Sequence, residues 1–360
     1  MEYASPGCLL PTTWLELPLI KSTHLNADTR IFEFGLPENR NLALPTCACL
    51  LMLAPGREHA ASLYTHDREG RLTANRLSAT EQQLRAAAAG QKKQRPAASC
   101  SHDGANGADV APTDAVRPYT PISPPEQAGS FSLLVKRYAQ WGDVRGGPPD
   151  FDARFAHSFR PAGAVSNYLH ELPTGAMVKF KHVAKNRKLQ YPFAGVETIT
   201  MVAVGAGIAP MIQALHRLLL TPGDTTKVVL LYGNRTVADI LLREQLERWA
   251  DEHPVRFKVV FCVGSRWNNV YMGAAAADGG SGPLVPEGWE TLREDRRESG
   301  WVSKAVLARH AHPPSASTRV FVCGLPGVYE AMCGSRLEPG IARGSILHLL
   351  GYADESVVKF

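Results

Sequence analysis

Between Thr198 and Gly324 the chain repeats one unit: a short run of apolar, β-branched residues, then a helical stretch. "TITMVAV" (198–204) precedes "PMIQALHRLLL". "KVVLLYG" (227–233) precedes "ADILLREQLERWA". "RFKVVFCVG" (256–264) is followed, after a loose stretch, by "WVSKAVLARHA". "RVFVCG" (319–324) ends the series. A strand that is apolar throughout needs cover on both faces, and helices between successive strands provide it. The pattern predicts a doubly wound parallel sheet.

The first half reads differently. Alternating residues predict strands at 14–22 and 29–35, joined by a turn at Asn26–Asp28. A third is expected at 47–53, where "CAC" alternates and one thiol is expected to be buried; another is expected at 130–138. The fold class is therefore β followed by α/β: an antiparallel β-barrel over 14–194, then an α/β domain over 195–360. Three loose stretches interrupt them. The insertion at about 55–114 holds one candidate helix, with a capping box from Ser78 to Glu81 and a stop at Gly90. The others are 142–150 and about 268–300, all three read as loop expansions.

The bulk numbers exclude several classes. A formal charge of +5 is mild and scattered over 360 residues, so no nucleic acid is expected. It suits an anionic cofactor or an acidic partner. Its densest basic run, 91–96, sits in the loose segment and reads as solvated. Seven cysteines stand at 8, 47, 49, 100, 262, 323 and 333, without a C-x-x-C spacing. Neither a metal site nor a disulfide framework is expected, and a reducing, cytoplasmic setting is, free or peripheral at a membrane. No apolar run reaches the length of a transmembrane helix.

Four motifs carry chemistry. "VGAGIAPM" places Gly205 and Gly207 between a strand and a helix expected to open at Pro210; glycines there let a phosphate or a flat ring come close to the helix start. The same spacing also serves a strand–helix turn that binds nothing, and the third glycine of the usual dinucleotide fingerprint is absent. "RPYTPIS" holds an arginine able to grip a pyrophosphate at Arg117, a ring at Tyr119 able to pack on a flat system, and short donors at Thr120 and Ser123; Pro118 keeps it extended. An Arg-Pro turn with a core tyrosine is the plainer alternative. "RPAGAVSNYL" offers a second helix start near Gly163 and Ser166, or an ordinary capped helix. "VFVCG" puts Cys323 at the carboxyl end of a parallel strand, where ligands bind in such sheets, or where a cysteine simply packs.

In this order, these motifs resemble the cytochrome b5 reductase branch of the ferredoxin reductase-like flavoproteins. Arg117, Tyr119, Thr120 and Ser123 match the family's arginine-x-tyrosine-threonine segment. Val135, Lys136 and Tyr138 match its isoleucine–lysine–x–tyrosine strand, and Gly163, Val165 and Ser166 its glycine–x–methionine–serine turn. Gly205, Ala206, Gly207 and Pro210 match its glycine-rich turn, and Cys323 with Gly324 its cysteine–glycine step; "VVKF" resembles its C-terminal strand. The resemblance implies FAD on the barrel and NADH or NADPH on the α/β domain. Hydride would reach the flavin, and single electrons would pass to an acidic haem protein such as cytochrome b5. It makes Cys323 and Lys136 the expected catalytic residues. It places Arg117, Pro118, Tyr119, Thr120, Ser123, Val135, Lys136, Tyr138, Gly163, Val165 and Ser166 around FAD. Gly205, Ala206, Gly207, Pro210, Arg266, Cys323 and Gly324 would hold the dinucleotide.

The chain departs from the family at several points. Ala206 and Ala209 replace threonines, and "CGLPGVYE" replaces a proline triplet. "GSRW" at 264–267 lacks the acidic residue of NADH users; Arg266 would pair with a 2′-phosphate, so NADPH is expected to serve as well as NADH. Lys179, Lys181, Lys185, Arg187 and Lys188 form a candidate docking patch for the acidic partner, or a solvated hairpin. Two alternatives stand beside the main reading: a sibling reductase with another acceptor, and a non-catalytic flavin-fold scaffold.

Overall fold

A computed structural model describes residues 13–57, 64–66, 72–74, 114–124, 126–138, 163–182, 189–264 and 286–360. The helix expected over Ser78–Gly90, the basic run 91–96, the stretch 142–150, and Lys185, Arg187, Lys188 and Arg266 lie outside the described residues.

The first half is a six-stranded antiparallel sheet. Its strands are β1 (Leu15–His24), β2 (Thr29–Gly35), β3 (Leu50–Ala54), β6 (Ala115–Tyr119), β7 (Ser130–Lys136) and β8 (Met177–His182), in the order β6-β3-β8-β1-β2-β7. Two short strands, β4 (Tyr64–His66) and β5 (Leu72–Ala74), pair only with each other. A bulge between Leu19 and Lys21 lets the first part of β1 pair with β8 and the rest with β2. The chain leaving β6 then reaches β7: Pro121 bridges Leu133, and the Ile122 amide donates to the Ser132 carbonyl at 2.9 Å. The sheet thereby closes into a barrel. Leu17, Leu19, Phe32 and Phe34 face inward at alternate positions. Phe34 meets Phe180 edge-on, with ring centres 4.7 Å apart, and stacks on Phe131 at 5.5 Å. Helix α1 (Ala164–Glu171) packs Val165 and Leu169 into the same core.

The second half is a six-stranded parallel sheet: β9 (Thr198–Val204), β10 (Lys227–Asn234), β11 (Phe257–Val263), β12 (Arg297–Ser299), β13 (Thr318–Cys323) and β14 (Val357–Lys359), in the order β12-β11-β10-β9-β13-β14. Helices α2 (Ile208–Leu220), α3 (Arg243–Glu252), α4 (Lys304–His310), α5 (Pro326–Met332) and α6 (Ile346–Leu349) accompany it. One core joins Ile199, Met201, Leu230 and Phe261 to α2 and α3. A second, on the opposite face, joins Val202, Leu231, Val260 and Val322 to α4 and α5. Two cores on two faces are why β9, β10, β11 and β13 bury apolar side chains on both sides. No helix among the described residues is long and apolar enough to cross a membrane.

Six expectations need correction. The third strand begins at Leu50, because Cys47 has φ +60°, outside the extended region; both Cys47 and Cys49 are buried, not one of them. Helix α2 begins at Ile208, after a 3-10 turn over Gly205–Gly207, so Pro210 is its third residue. Proline is tolerated there because the first-turn amides have no intrahelical acceptor. The helix expected from Ala238 begins at Arg243; Leu242, at φ +57°, breaks the approach. The loose stretch 268–300 is folded from 286 onward. There β12 extends the sheet, held by Arg296 on Asp251 at 2.5 Å and by Glu298 on Arg309 and His310, both at 2.6 Å. Ion pairs leave no hydrophobic period, which is why the strand reads as a loop. Finally, Lys181 is buried, its ammonium 5.0 Å from the Trp14 ring centre, so it leaves the docking patch.

Candidate active site

Strand order reverses between β9 and β13, which is where a doubly wound sheet opens a crevice at its carboxyl ends. The barrel docks on that crevice. Between them lies a cleft of about 210 Å³. Pro118, Tyr119, Thr120, Val135, Lys136 and Tyr138 line it from the barrel. Ala206, Pro210, Cys323 and Gly324 line it from the sheet. Residues from three separate sequence motifs thus share one cavity with the end of β13.

The glycine turn is built by close approach. A Cβ on Gly207 would sit 2.3 Å from the Cys323 carbonyl oxygen. Gly205 has φ +54° and open space where a Cβ would be, and its carbonyl accepts from the Tyr232 hydroxyl at 3.0 Å. No side chain caps the α2 start at Gly207, so its first-turn amides are not taken by a capping group.

On the barrel side, Arg117 lies on β6 opposite Met52, half-buried, with Nη1 donating to the Val116 carbonyl at 2.8 Å. Gly163 caps α1, where a Cβ would come 2.5 Å from the Ser166 hydroxyl. That hydroxyl donates to the Gly163 carbonyl at 3.3 Å and accepts from the Tyr138 amide at 3.4 Å. Ser123 and Val165 are placed differently: the Ser123 hydroxyl accepts from the Ser132 amide at 3.1 Å, and Val165 is a core residue of the barrel. Val135 is buried in that core and still borders the cleft.

Lys136 spans the seam. Its Nζ lies 3.0 Å from Asp28 on the barrel and 3.2 Å from Asp239 on the sheet side. Beside it, Asn26 donates to the Ala238 carbonyl at 3.4 Å. Cys47 also crosses the seam, its thiol donating to the Pro210 carbonyl at 3.1 Å, and Arg217 pairs with Glu126. These pins set how the two halves face each other.

Burial pushes the Cys47 and Cys323 thiols up, and the Tyr119 and Tyr329 phenols with them, so all four are neutral near pH 7. Cys323 is therefore a thiol, not a thiolate nucleophile. Cys47, Cys49, Tyr329, Arg336 and Phe360 also line the cleft, and the motif reading missed them. Phe360 packs on Phe321 with ring centres 5.3 Å apart and takes the Tyr329 hydroxyl on its carbonyl. Only the aromatic end of "VVKF" hinted at it.

The cleft fits a flat, anionic cofactor: a tyrosine wall, backbone open at Gly205, an uncapped helix start and nearby cations. The comparisons agree. The profile of the oxidoreductase FAD-binding domain matches residues 105–186, and that of the oxidoreductase NAD-binding domain matches 201–275. NADH-cytochrome b5 reductase 2 of Saccharomyces cerevisiae is 32% identical over 251 residues, covering 69% of this chain and 67% of the relative. Its counterpart in Coccidioides immitis is 31% identical, covering 70% and 63%. The chain thus spans about two thirds of the length of such relatives. The cytochrome b5 reductase domain of Ulva prolifera nitrate reductase shares the fold at TM-score 0.59 and 22% identity, covering 97% of this chain and 98% of that one. With both domain profiles in sequence along one fold and this identity to the yeast relative, the protein belongs to the NADH-cytochrome b5 reductase family, flavoprotein oxidoreductases that use FAD and a nicotinamide dinucleotide.

Proposed function

We propose that the protein takes hydride from NADH or NADPH and passes single electrons to an acidic haem protein of the cytochrome b5 kind. One observation carries this reading: the cleft in which the FAD-type segment of the barrel meets the glycine turn and Cys323 of the sheet. The barrel, residues 14–194, would hold FAD, and residues 195–360 the dinucleotide. FAD, when bound, supplies the conversion of a two-electron hydride into single electrons.

The chain's own residues do the placing. Arg117 would hold the pyrophosphate of FAD, with the Gly163–Ser166 helix start as a second phosphate site. Tyr119 and Tyr138 would flank the flat ring, with Thr120 as a hydrogen-bonding neighbour. The open backbone of Gly205 and the start of α2, which Gly207 lets pack close on β13, would receive the dinucleotide, and Arg266 a 2′-phosphate. Cys323 and Gly324 would form the wall for the nicotinamide. Lys136, fixed between Asp28 and Asp239, would hold the two halves at working distance rather than exchange protons.

The test is anaerobic stopped-flow mixing of the purified protein with NADH and, separately, NADPH, read at flavin wavelengths. Rapid bleaching followed by reoxidation on adding cytochrome b5 is expected. A protein without flavin, or one whose flavin stays oxidised, refutes the reading.

A further inference from the structure

The cleft's charges do not balance where the motifs would suggest. Two cations line it, Lys136 and Arg336. Lys136 is compensated: its ammonium lies within 3.2 Å of Asp28 and of Asp239, the latter shared with Arg235. The Cys47 and Cys323 thiols and the Tyr119 and Tyr329 phenols of the lining are neutral. Arg336 makes no ion pair among the described residues; its guanidinium stacks over the Tyr329 ring, 5.8 Å from the ring centre. It lies at the exposed mouth of the cleft, but its loop is anchored. Lys359 donates to the Ser335 and Glu338 carbonyls at 2.8 and 2.9 Å, and the Ile341 amide donates to Asp354 at 2.7 Å. A planar guanidinium on an aromatic face, on a pinned loop, is a prepositioned positive charge.

We propose that Arg336 is the residue that stabilises the negative charge the cleft acquires when hydride enters it. This rests on the reductase reading above. The C4–H bond of the reduced nicotinamide breaks, and its two electrons and one proton pass together to the flavin. The nicotinamide leaves oxidised and one positive charge richer, and the cleft keeps one negative charge more until a solvent proton arrives. Lys136 has no spare charge to answer it. Arg336 has, and it therefore raises the reduction potential of the bound flavin.

The experiment equilibrates flavin-loaded wild-type, Arg336→Gln and Arg336→Lys proteins with a reference dye of known potential. Arg336→Gln is expected to shift the ratio of reduced to oxidised flavin at least about threefold toward oxidised, or about 14 mV for a two-electron couple. Arg336→Lys keeps the charge and is expected to recover most of that shift. The wild-type protein gives an independent reading: salt screens an exposed guanidinium, so its potential is expected to fall as ionic strength rises. An Arg336→Gln potential equal to wild type, an equal fall in both variants, or a wild-type potential indifferent to salt overturns the proposal. So does weaker NAD⁺ binding in Arg336→Gln with the potential unmoved, which makes Arg336 a dinucleotide contact. A protein that holds no flavin, or is not reduced by either nucleotide, fails earlier and refutes the reductase reading instead.

Discussion

Gly207→Ala is the sharpest probe of how the cleft is built. The new Cβ would meet the Cys323 carbonyl oxygen at 2.3 Å and its carbon at 2.6 Å. Both are backbone atoms of a strand paired on each side, so no side chain can swing away. Overpacking in such a site costs about 1–3 kcal/mol, and the upper end applies because only strand displacement relieves the clash. At roughly 2–4 °C per kcal/mol, the melting midpoint is expected to fall by about 6–12 °C. The displaced wall also carries Cys323 and Gly324, which the proposed function places against the nicotinamide, so weaker NAD⁺ binding is expected. Gly205→Ala is the control. Its φ of +54° strains an alanine, but the Cβ enters open space, and a loss of only about 1–2 kcal/mol is expected. Circular dichroism melts and titration with NAD⁺ read both variants. A Gly207→Ala protein that melts with the parent and binds NAD⁺ equally well would falsify the close-approach account.

Three further outcomes are expected. Arg117→Ala should purify with reduced FAD content, and an undiminished flavin-to-protein absorbance ratio counts against the assigned role. NADPH should reduce the flavin at a rate comparable to NADH; a protein bleached by NADH and indifferent to NADPH removes Arg266 from the site. For Asp239, burial by itself raises the carboxyl, but Lys136 and Arg235 outweigh it and hold it below its ordinary value of 3.8. A depressed acid stabilises the fold above its unfolded value, and that stability is lost as pH falls through the folded one. Part of the acid loss of stability below pH 3.8 should therefore disappear in Asp239→Asn, and superimposable pH profiles of the melting midpoint contradict the seam's electrostatics.

The edge of the parallel sheet shows why some structure stays hidden in a sequence. β9, β10, β11 and β13 are legible because each buries side chains on both faces, and that demand is written locally in β-branched runs. β12 is held through Arg296 and Glu298, whose partners Asp251, Arg309 and His310 lie on two separate helices, while Arg297 pairs locally with Glu294. The misread start of β3 has a related cause. Cys47 alternates like a strand residue, but its left-handed backbone follows from docking its thiol on Pro210, 163 positions away.

The site divides along the same line. By themselves the residues pointed to two half-sites, because close backbone approach needs glycine, anion binding needs arginine and a free helix start, and a flat ring needs tyrosine. These are local chemical requirements with recognisable spelling. Only the tertiary structure decided what each charge does. Lys136 and Arg336 are both cations in the sequence; Lys136 is neutralised because Asp28 and Asp239 converge on it from two halves of the molecule, while Arg336 is carried to the mouth of the cleft, stacked on an aromatic face and without an ion pair among the described residues. Electrostatic function depends on distances of a few ångströms between groups far apart along the chain, and folding sets those distances.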